Sequence, residues 1–381
     1  MKPLSFTYER ERMLPGFDGT LCKICPQIIR TEGDTAFLYY GMLLLTGIDV
    51  GKGSYVLKSE DGGKTFGEPQ KLNSYEEMVD GVREVFAGSL MFYSRYHKRM
   101  ISIGAVQYFE SDKYAKGWKE NQCVASFRYA FLDPETGMYC SDLRPFDFPF
   151  PTSGGIPFGQ VIEYEDGTFL ISFYYTPEGK HKDSVVTARC TLEGDTLRFL
   201  EFGEPLEDDT RARGLDEPSV ALLGDKYYMT IRCDETALWA VSDDGLHFDT
   251  PREWCWENGE PIGNYNTQQR WIRHKDGLYL AYTRRGAHND HVFRHRAPMF
   301  MARFDEDRGC LLRDTEVILV PEMGARLGNF TVTDVSENEF WLVTAEWMQN
   351  YKGKDWRYCK SFGSDNAIWR ARILISDTII P

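Results

Sequence analysis

The segment Thr283–Pro298 concentrates cationic and titratable side chains in a chain whose formal net charge is -14. It contains four arginines and three of the seven histidines. Guanidinium groups offer paired donors that suit a carboxylate or a sulfate. A nucleic acid is not expected as partner, because neutralising its phosphates requires a basic surface. A local cationic cluster in an acidic protein predicts instead a pocket for a small anionic ligand.

A pair of adjacent carboxylates, Asp216 and Glu217, precedes an apolar strand pair that ends in Arg232. Glycoside hydrolysis usually uses two carboxyl groups that flank the scissile bond. Adjacent residues of a regular strand face opposite sides, so only one of the two points into a common pocket unless a bulge intervenes. Either carboxylate could instead pair structurally with an arginine.

Histidines of the cationic segment are candidates for acid–base chemistry, since histidine titrates near neutral pH. We single out His288 and His291 for proton transfer or substrate contact, with a purely structural loop as the alternative. The spacing of His288, His291 and His295 would gather metal ligands on a helix, but this segment has the pattern of a loop between strands. No metal and no cofactor are therefore expected.

The elements that must position these residues are short strands. Runs of β-branched and aromatic residues, broken by Gly, Asp, Asn and Pro, form six hairpins, and a further strand follows each of them. The hairpin turns lie near Asp34, Lys98, Gly167, Asp225, Gly277 and Asn338. Units of about four strands, repeated in this way, are typical of a β-propeller.

The predicted fold is therefore all-β: one six-bladed propeller domain over residues 1–381, with antiparallel four-stranded blades. The expected blades span approximately 21–75, 83–145, 155–206, 214–256, 264–320 and 326–376. The last unit lacks a clear fourth strand, and residues 4–14 are expected to supply it. Closing the ring in this way removes exposed sheet edges.

Propeller geometry predicts which side chains meet, because the innermost strands line a central channel and the residues that open each hairpin converge on it. The residues expected at the pocket are Lys23, Cys25, Arg83, Glu84, Phe158, Gln160, Asp216, Glu217, Gln268, Gln269 and Asn329, with Tyr40, Arg232 and Arg284 or Arg285 from the ends of the second strands.

Two turns carry a further motif. SEDGGKTF (Ser59–Phe66) and SDDGLHF (Ser242–Phe248) match S-x-D-x-G-x-T-[WF], with His247 at the Thr position of the second. The Asp side chain is expected to fold back onto turn amides, and Gly to supply a positive φ. With these Asp-boxes the chain resembles the sialidase superfamily of six-bladed propellers.

The resemblance is strongest in blades four and five. DEPSVALLGDKYYMTIR looks like the sialidase pattern in which an acid assists catalysis and an arginine grips the substrate carboxylate. It implies those roles for Glu217, with Asp216 as rival, and for Arg232. FRHRAPMFMARFD resembles the next blade and implies a second carboxylate-binding arginine, Arg294 or Arg296.

The chain departs from the family at two places. KICPQ, with Lys23, stands where sialidases have an R-I-P arginine, and Asn329 and Phe330 stand where they have a nucleophilic Tyr. A histidine, His288 or His291, is then the natural replacement as acid or base. The segments RRGAHNDHVFRHRAP, GARLGNF and GSDNAI look like a divergent sialidase-like subgroup that lacks this Tyr.

The leading hypothesis is an exo-acting glycoside hydrolase for a terminal acidic sugar, whose carboxylate the arginines bind. The alternatives are a lyase that acts on a uronic acid by β-elimination and a non-catalytic glycan-binding propeller. The expected partner is an acidic oligosaccharide, with no membrane and possibly a second copy of the chain. Scattered cysteines and a first segment without signal-peptide character lead us to expect a cytoplasmic location.

Overall fold

Strands with an apolar face toward their neighbours, separated by Gly, Asp and Asn turns, build six antiparallel sheets. The structure, a computed structural model, describes residues 4–46, 49–111, 113–114, 127–349 and 355–376. The first strands of successive blades contact one another in chain order, and that of blade 6 contacts that of blade 1. The predicted fold class, an all-β six-bladed propeller, is confirmed.

Each blade is a meander that begins at the channel and runs outward. Blade 1 consists of Leu21–Arg30, Ala36–Leu44, Gly51–Ser59 and Gln70–Lys71. Blade 2 consists of Val82–Ser94, Arg99–Glu110, Phe127–Leu132 and Arg144–Pro145. Blade 3 consists of Thr152–Glu163, Phe169–Pro177, Ser184–Glu193 and Thr196–Phe202. Blade 4 consists of Asp216–Leu223, Lys226–Arg232, Leu238–Ser242 and Arg252–Glu253. Blade 5 consists of Arg270–His274, Gly277–Tyr282, Met299–Asp305 and Cys310–Leu311. Blade 6 consists of Arg326–Asp334, Glu339–Trp347, Ile368–Ser376 and Ser5–Met13.

A few elements lie outside this repeat. Short strands Glu76–Val79 and Lys113–Tyr114 extend blade 2, and Val317–Val320 pairs with the third strand of blade 5. Helical structure is limited, within the described ranges, to Trp356–Ser361 and the 3-10 turns Phe293–His295 and Arg313–Thr315. None of these described helices has the length and apolar character needed to cross a membrane.

The N-terminal strand closes the ring, as predicted. Ser5–Met13 pairs antiparallel with Ile368–Ser376 along its whole length and so supplies the fourth strand of blade 6. The buried guanidinium of Arg370 reaches across this seam to Glu11. The outermost strand of the last blade is therefore held by both backbone and side-chain contacts.

Aromatic side chains fill the spaces between blades and fix how the inner strands are spaced. Between blades 4 and 5, Trp239, Trp254, Trp271 and Phe304 pack with ring centroids 5.2 to 5.8 Å apart. Aromatic pairs of this kind contribute about 0.5–1.5 kcal/mol each beyond the area they bury. This packing holds the two blades that carry most of the candidate site.

The S-x-D-x-G turns are stabilised locally. The Asp61 carboxylate accepts hydrogen bonds from the amide and hydroxyl of Thr65, at 2.9 and 2.6 Å. Gly63 has a φ of 87°, and a Cβ there would stand 2.5 Å from the Trp341 ring of blade 6. Asp244 makes the equivalent bonds to the amides of Leu246 and His247, at 2.8 and 2.9 Å. These turns tie blades together and lie away from the carboxylate pair.

Candidate functional site

The innermost strands of four blades share one irregularity where they pass the channel. The register between first and second strands shifts at Cys25 in blade 1, Gly159 in blade 3, Glu217 in blade 4 and Asn329 in blade 6, and these residues have φ of 48, 101, 42 and 54°. A bulge of this kind re-aims side chains. For a residue other than glycine, a left-handed φ costs about 1–2 kcal/mol and tends to mark functional sites.

The bulge at Glu217 brings both adjacent carboxylates to one guanidinium. Arg232 Nη1 lies 2.7 Å from Glu217 Oε1 and 3.7 Å from Asp216 Oδ2. Arg213 Nη2 lies 2.7 Å from the same Asp216 oxygen. The sequence left open which acid faces the pocket, and the structure shows both in contact with Arg232.

The two carboxyl groups have opposite protonation tendencies. Burial raises the pKa of Asp216 to about 7, against the opposing effect of Arg232. Burial also acts on Glu217, but Arg232 and Arg296 outweigh it, so the pKa of Glu217 is lowered. Near neutral pH one acid is therefore close to half protonated while its neighbour is ionised, which is the division of labour that acid-assisted bond cleavage requires.

Several arginines next to this pair are buried, and none of them makes an ion pair with a described carboxylate. Glu217 and Asp49 nonetheless lie close enough to act on their pKa values. Arg296 and Arg326 are 3% and 4% exposed. Arg296 Nε donates to the Asn266 carbonyl at 2.9 Å, while Arg326 lies against aromatic faces. Burial lowers the pKa of Arg296 to about 9 and that of Arg270 to about 10. Buried cations are costly without a counterion, so the arrangement favours an anion between them.

Arg294 and Asn266 complete this arginine cluster. Arg294 is half-buried, and burial together with the nearby Arg232 lowers its pKa. Asn266 has a φ of 48° and accepts a hydrogen bond from Arg232 Nη2 at 3.0 Å. Asn266 therefore links the arginine of blade 4 to Arg296, which donates to its carbonyl.

Gln268 and Asn329 support the channel wall. Gln268 Nε2 donates to the Phe330 carbonyl at 2.5 Å, and its Oε1 accepts from Arg270 at 3.2 Å. Asn329 contacts the thiol of Cys25, whose pKa is raised to about 12 by burial. The Cys25 side chain is nonetheless solvent-accessible, so it lies on the channel surface as a neutral thiol.

Three predicted ligand-binding residues make other contacts. Arg284 binds Glu316 through Nε and Nη2, at 2.8 and 2.7 Å, and lies over Phe300. The Lys23 ammonium donates to the carbonyls of Gly16 and Asn366, both at 3.1 Å. Tyr40 stacks on Tyr55 in the core between blades 1 and 6. Roles for these three in binding stay predictions, and the described contacts give each of them a structural function.

The three histidines of the cationic segment differ in their exposure and contacts. His288 is exposed, with a φ of 54°. His291 lies 3.1 Å from Glu322 and stacks on Phe362, with centroids 4.7 Å apart. His295, which we did not select as acid or base, lies against Tyr265. The acid–base roles predicted for His288 and His291 stay predictions.

Arg326, Arg270, Arg213 and Asn266 were missed by the sequence analysis. Arg326 and Arg270 each begin the innermost strand of a blade, in GARLGNF and QQRWIR. The rule that hairpin openings converge on the channel applies to them as well as to the neighbouring Asn329 and Gln268. Arg213 and Asn266 lie in irregular segments, where strand periodicity carries no information.

No protein-family model matches the sequence, and no curated protein matches it either. Solved structures match the fold. A protein of unknown function from Dyadobacter fermentans aligns with a TM-score of 0.66 and 14% identity over 97% of this chain and 99% of that one. The Trypanosoma rangeli sialidase aligns with a TM-score of 0.54 and 12% identity, over 98% of this chain and 60% of that one.

An alpha-L-arabinanase of Penicillium chrysogenum, complexed with arabinobiose, aligns with a TM-score of 0.55 and 10% identity, over 97% of this chain and 98% of that one. Identities this low establish likeness of architecture and leave substrate and chemistry to the site itself. The resemblance drawn from the Asp-boxes and blade four is thus confirmed at the level of fold: the chain is a six-bladed β-propeller like the sialidases.

Proposed function

We propose that this protein is an exo-acting glycoside hydrolase that releases a terminal acidic sugar. One observation carries the proposal. Arg294, Arg296 and Arg326 are buried or half-buried, make no ion pair with a described carboxylate, and adjoin a carboxylate pair in which Asp216 is about half protonated near pH 7 and Glu217 is ionised. The sugar carboxylate would occupy the space among the guanidinium groups and neutralise them.

The chemistry follows from the two protonation states. Asp216 donates its proton to the glycosidic oxygen as the bond from that oxygen to the anomeric carbon breaks, so the rest of the glycan leaves as an alcohol. Glu217 stays ionised beside Arg232 and stabilises the positive charge that develops on the sugar ring. A water molecule adds to the anomeric carbon, and its second proton passes to a base.

Structural neighbours of the chain support this proposal. Of the propellers that align with the chain, one is named a sialidase and another is an arabinanase complexed with arabinobiose. A sialidase and an arabinanase among the neighbours favour a glycan as the ligand class. The cluster adds the preference for an acidic sugar.

The test is a screen of sialyl-, uronyl- and rhamnosyl-uronyl oligosaccharides with product masses as readout. Hydrolysis adds the mass of water across the two products. Cleavage without that gain identifies a lyase, and binding without cleavage identifies a glycan-binding propeller. Failure of the wild-type protein to cleave or bind any acidic glycan would overturn the proposal.

A further inference from the structure

Two titratable side chains of the cationic segment, Asp290 and His295, form a hydrogen-bonded chain with Tyr265 that the proposed mechanism has not yet used. The Tyr265 hydroxyl lies 2.5 Å from His295 Nδ1, and His295 Nε2 lies 3.2 Å from Asp290 Oδ1. The hydroxyl donates to this ring nitrogen when the nitrogen carries no hydrogen. The other ring nitrogen then carries the hydrogen and donates to the carboxylate, so the geometry selects one tautomer of His295.

One end of this chain adjoins the arginine cluster. Tyr265 immediately precedes Asn266, whose side chain accepts from Arg232 at 3.0 Å and from Arg296 at 3.4 Å. His295 lies between Arg294 and Arg296 in sequence. The segment that holds His295 therefore carries Arg294 and Arg296, and the segment that holds Tyr265 carries the Asn266 that binds Arg232 and Arg296.

The other end reaches solvent. The His295 side chain is 21% exposed and that of Asp290 is 95% exposed. Exposure makes Asp290 a weak electrostatic partner, because solvent screens the interaction. The same exposure suits a different task, which is to pass a proton from a half-buried tyrosine to bulk water.

Two further features support a functional role for Tyr265 and His295. The Arg285 guanidinium lies 3.9 Å from the centroid of the Tyr265 ring, where a cation stabilises negative charge that develops on the phenol oxygen. Arg294 and His295 are consecutive left-handed residues, with φ of 57 and 52°. Such strain persists only when surrounding contacts hold it, and it concentrates at functional sites.

Buried polar groups flank Tyr265 on the same segment. Asn264 and Thr267 are at most 1% exposed, and their side-chain polar atoms have no hydrogen-bond partner among the described residues. Unsatisfied buried groups in a native fold point to a ligand or ordered water. The segment from Asn264 to Thr267 is thus polar where it adjoins the pocket.

We infer that Tyr265 is the base of the hydrolysis and that His295 and Asp290 are the positioning residues of a proton relay to solvent. This inference rests on the proposed function. As the water oxygen bonds to the anomeric carbon, a water proton moves to the Tyr265 oxygen and the Tyr265 proton moves to His295 Nδ1. Asp216 protonates the departing oxygen, as above. The imidazolium then releases a proton to solvent beside Asp290, and Asp216 takes one up.

The kinetic test uses the aryl and natural glycosides of whichever acidic sugar the wild-type protein cleaves. Tyr265→Phe should lower kcat about 100-fold or more, with KM changed less than about threefold, because a positioned base contributes at least that much. His295→Ala should lose a similar factor and regain part of it with added imidazole. Tyr282→Phe is the matched control, since its hydroxyl also makes a 2.5 Å bond on blade 5, but to Glu316.

Substrates with activated aryl leaving groups separate the relay from the acid. Asp216→Asn should recover much of its lost rate on an activated aryl glycoside, because such a leaving group needs no proton. Tyr265→Phe should stay slow on the same substrate. A Tyr265→Phe protein that cleaves within about threefold of wild type overturns the relay and leaves the proposed function standing.

A spectroscopic test covers the case in which no substrate is cleaved. In protein labelled at the tyrosine ζ-carbon, the NMR resonance absent from Tyr265→Phe is assigned to Tyr265. Its titration should shift in His295→Gln and stay unchanged in Tyr282→Phe. An unchanged Tyr265 titration in His295→Gln overturns the relay whether or not the enzyme is active.

Discussion

The guanidinium carbon of Arg326 lies 3.3 Å from the centroid of the Trp347 ring. Arg326 is 4% exposed and makes no ion pair with a described carboxylate. A cation over an aromatic face gains about 0.5–2 kcal/mol, whereas burying an unpaired charge costs several kcal/mol. The free protein therefore carries a destabilising charge, which the proposed anionic ligand would neutralise.

Replacing this cation should raise stability and weaken ligand binding. Arg326→Met keeps much of the volume and removes the charge, so we expect the free energy of unfolding to rise by about 1–3 kcal/mol. Affinity for the acidic sugar should fall at least about tenfold, since one charge-assisted contact is lost. Urea unfolding and calorimetric titration check the two effects. Lower stability with unchanged affinity would contradict this account of the cluster.

Two arginines of the same cationic segment should respond differently. Arg296→Lys keeps the charge but loses the planar donor pair, so we expect KM for an acidic glycoside to rise about tenfold or more. Arg284→Gln should leave KM unchanged and lower thermal stability, because Arg284 is bound to Glu316. Steady-state kinetics and thermal melting of both variants provide the comparison. A large KM effect in Arg284→Gln would place that residue in the pocket after all.

Asp216 should make stability depend on pH. Its pKa is about 7 in the fold and about 3.9 when unfolded, so between these values the folded state binds more protons. Stability from this group is fully present below about pH 4 and is lost as pH rises towards 7. Asp216→Asn should remove that loss. The check is the difference between wild-type and variant unfolding free energies at several pH values, and a pH-independent difference would count against the raised pKa.

The same group should shape the activity profile. As the proton donor, Asp216 must be protonated, so kcat/KM on natural glycosides should fall as pH rises above about 7. An activated aryl glycoside needs no such proton, so its rate should lack this descending limb. The check is kcat/KM of both substrates measured over pH 5 to 9. If kcat/KM falls in the same way above pH 7 for both substrates, the ionisation belongs to a group other than Asp216.

The closing strand predicts a strong effect of truncation. Removing residues 1–13 deletes the outermost strand of blade 6 and exposes the edge of Ile368–Ser376. We expect a large drop in melting temperature and concentration-dependent association through that edge. Calorimetry and light scattering measure both. Unchanged melting would mean that blade 6 holds together as three strands.

The fold could be predicted from the sequence, because six repeated hairpins with Gly and Asp turns are compatible with few other folds. The geometry of the site was harder to predict from the sequence, as Glu217 shows. Its left-handed backbone depends on how blade 4 packs in the ring, and that bulge decides that both acids meet Arg232. Arg284 and Arg296 are arginines of the same segment, and only their tertiary contacts, Glu316 for Arg284 and Asn266 for Arg296, give them different expected roles.

The repeated bulges separate backbone shape from side-chain chemistry. Cys25, Glu217 and Asn329 occupy comparable kinks, yet they carry a thiol, a carboxylate and an amide. At the kink of Gly159 a Cβ would stand 2.5 Å from the Pro218 carbonyl oxygen. Asn, Asp and Gly accept a left-handed backbone with little strain, whereas β-branched residues do not. At Cys25 and Asn329, exchange for another small polar residue would therefore change the groups beside the candidate site while the scaffold stays intact, whereas Gly159 has no room for a side chain.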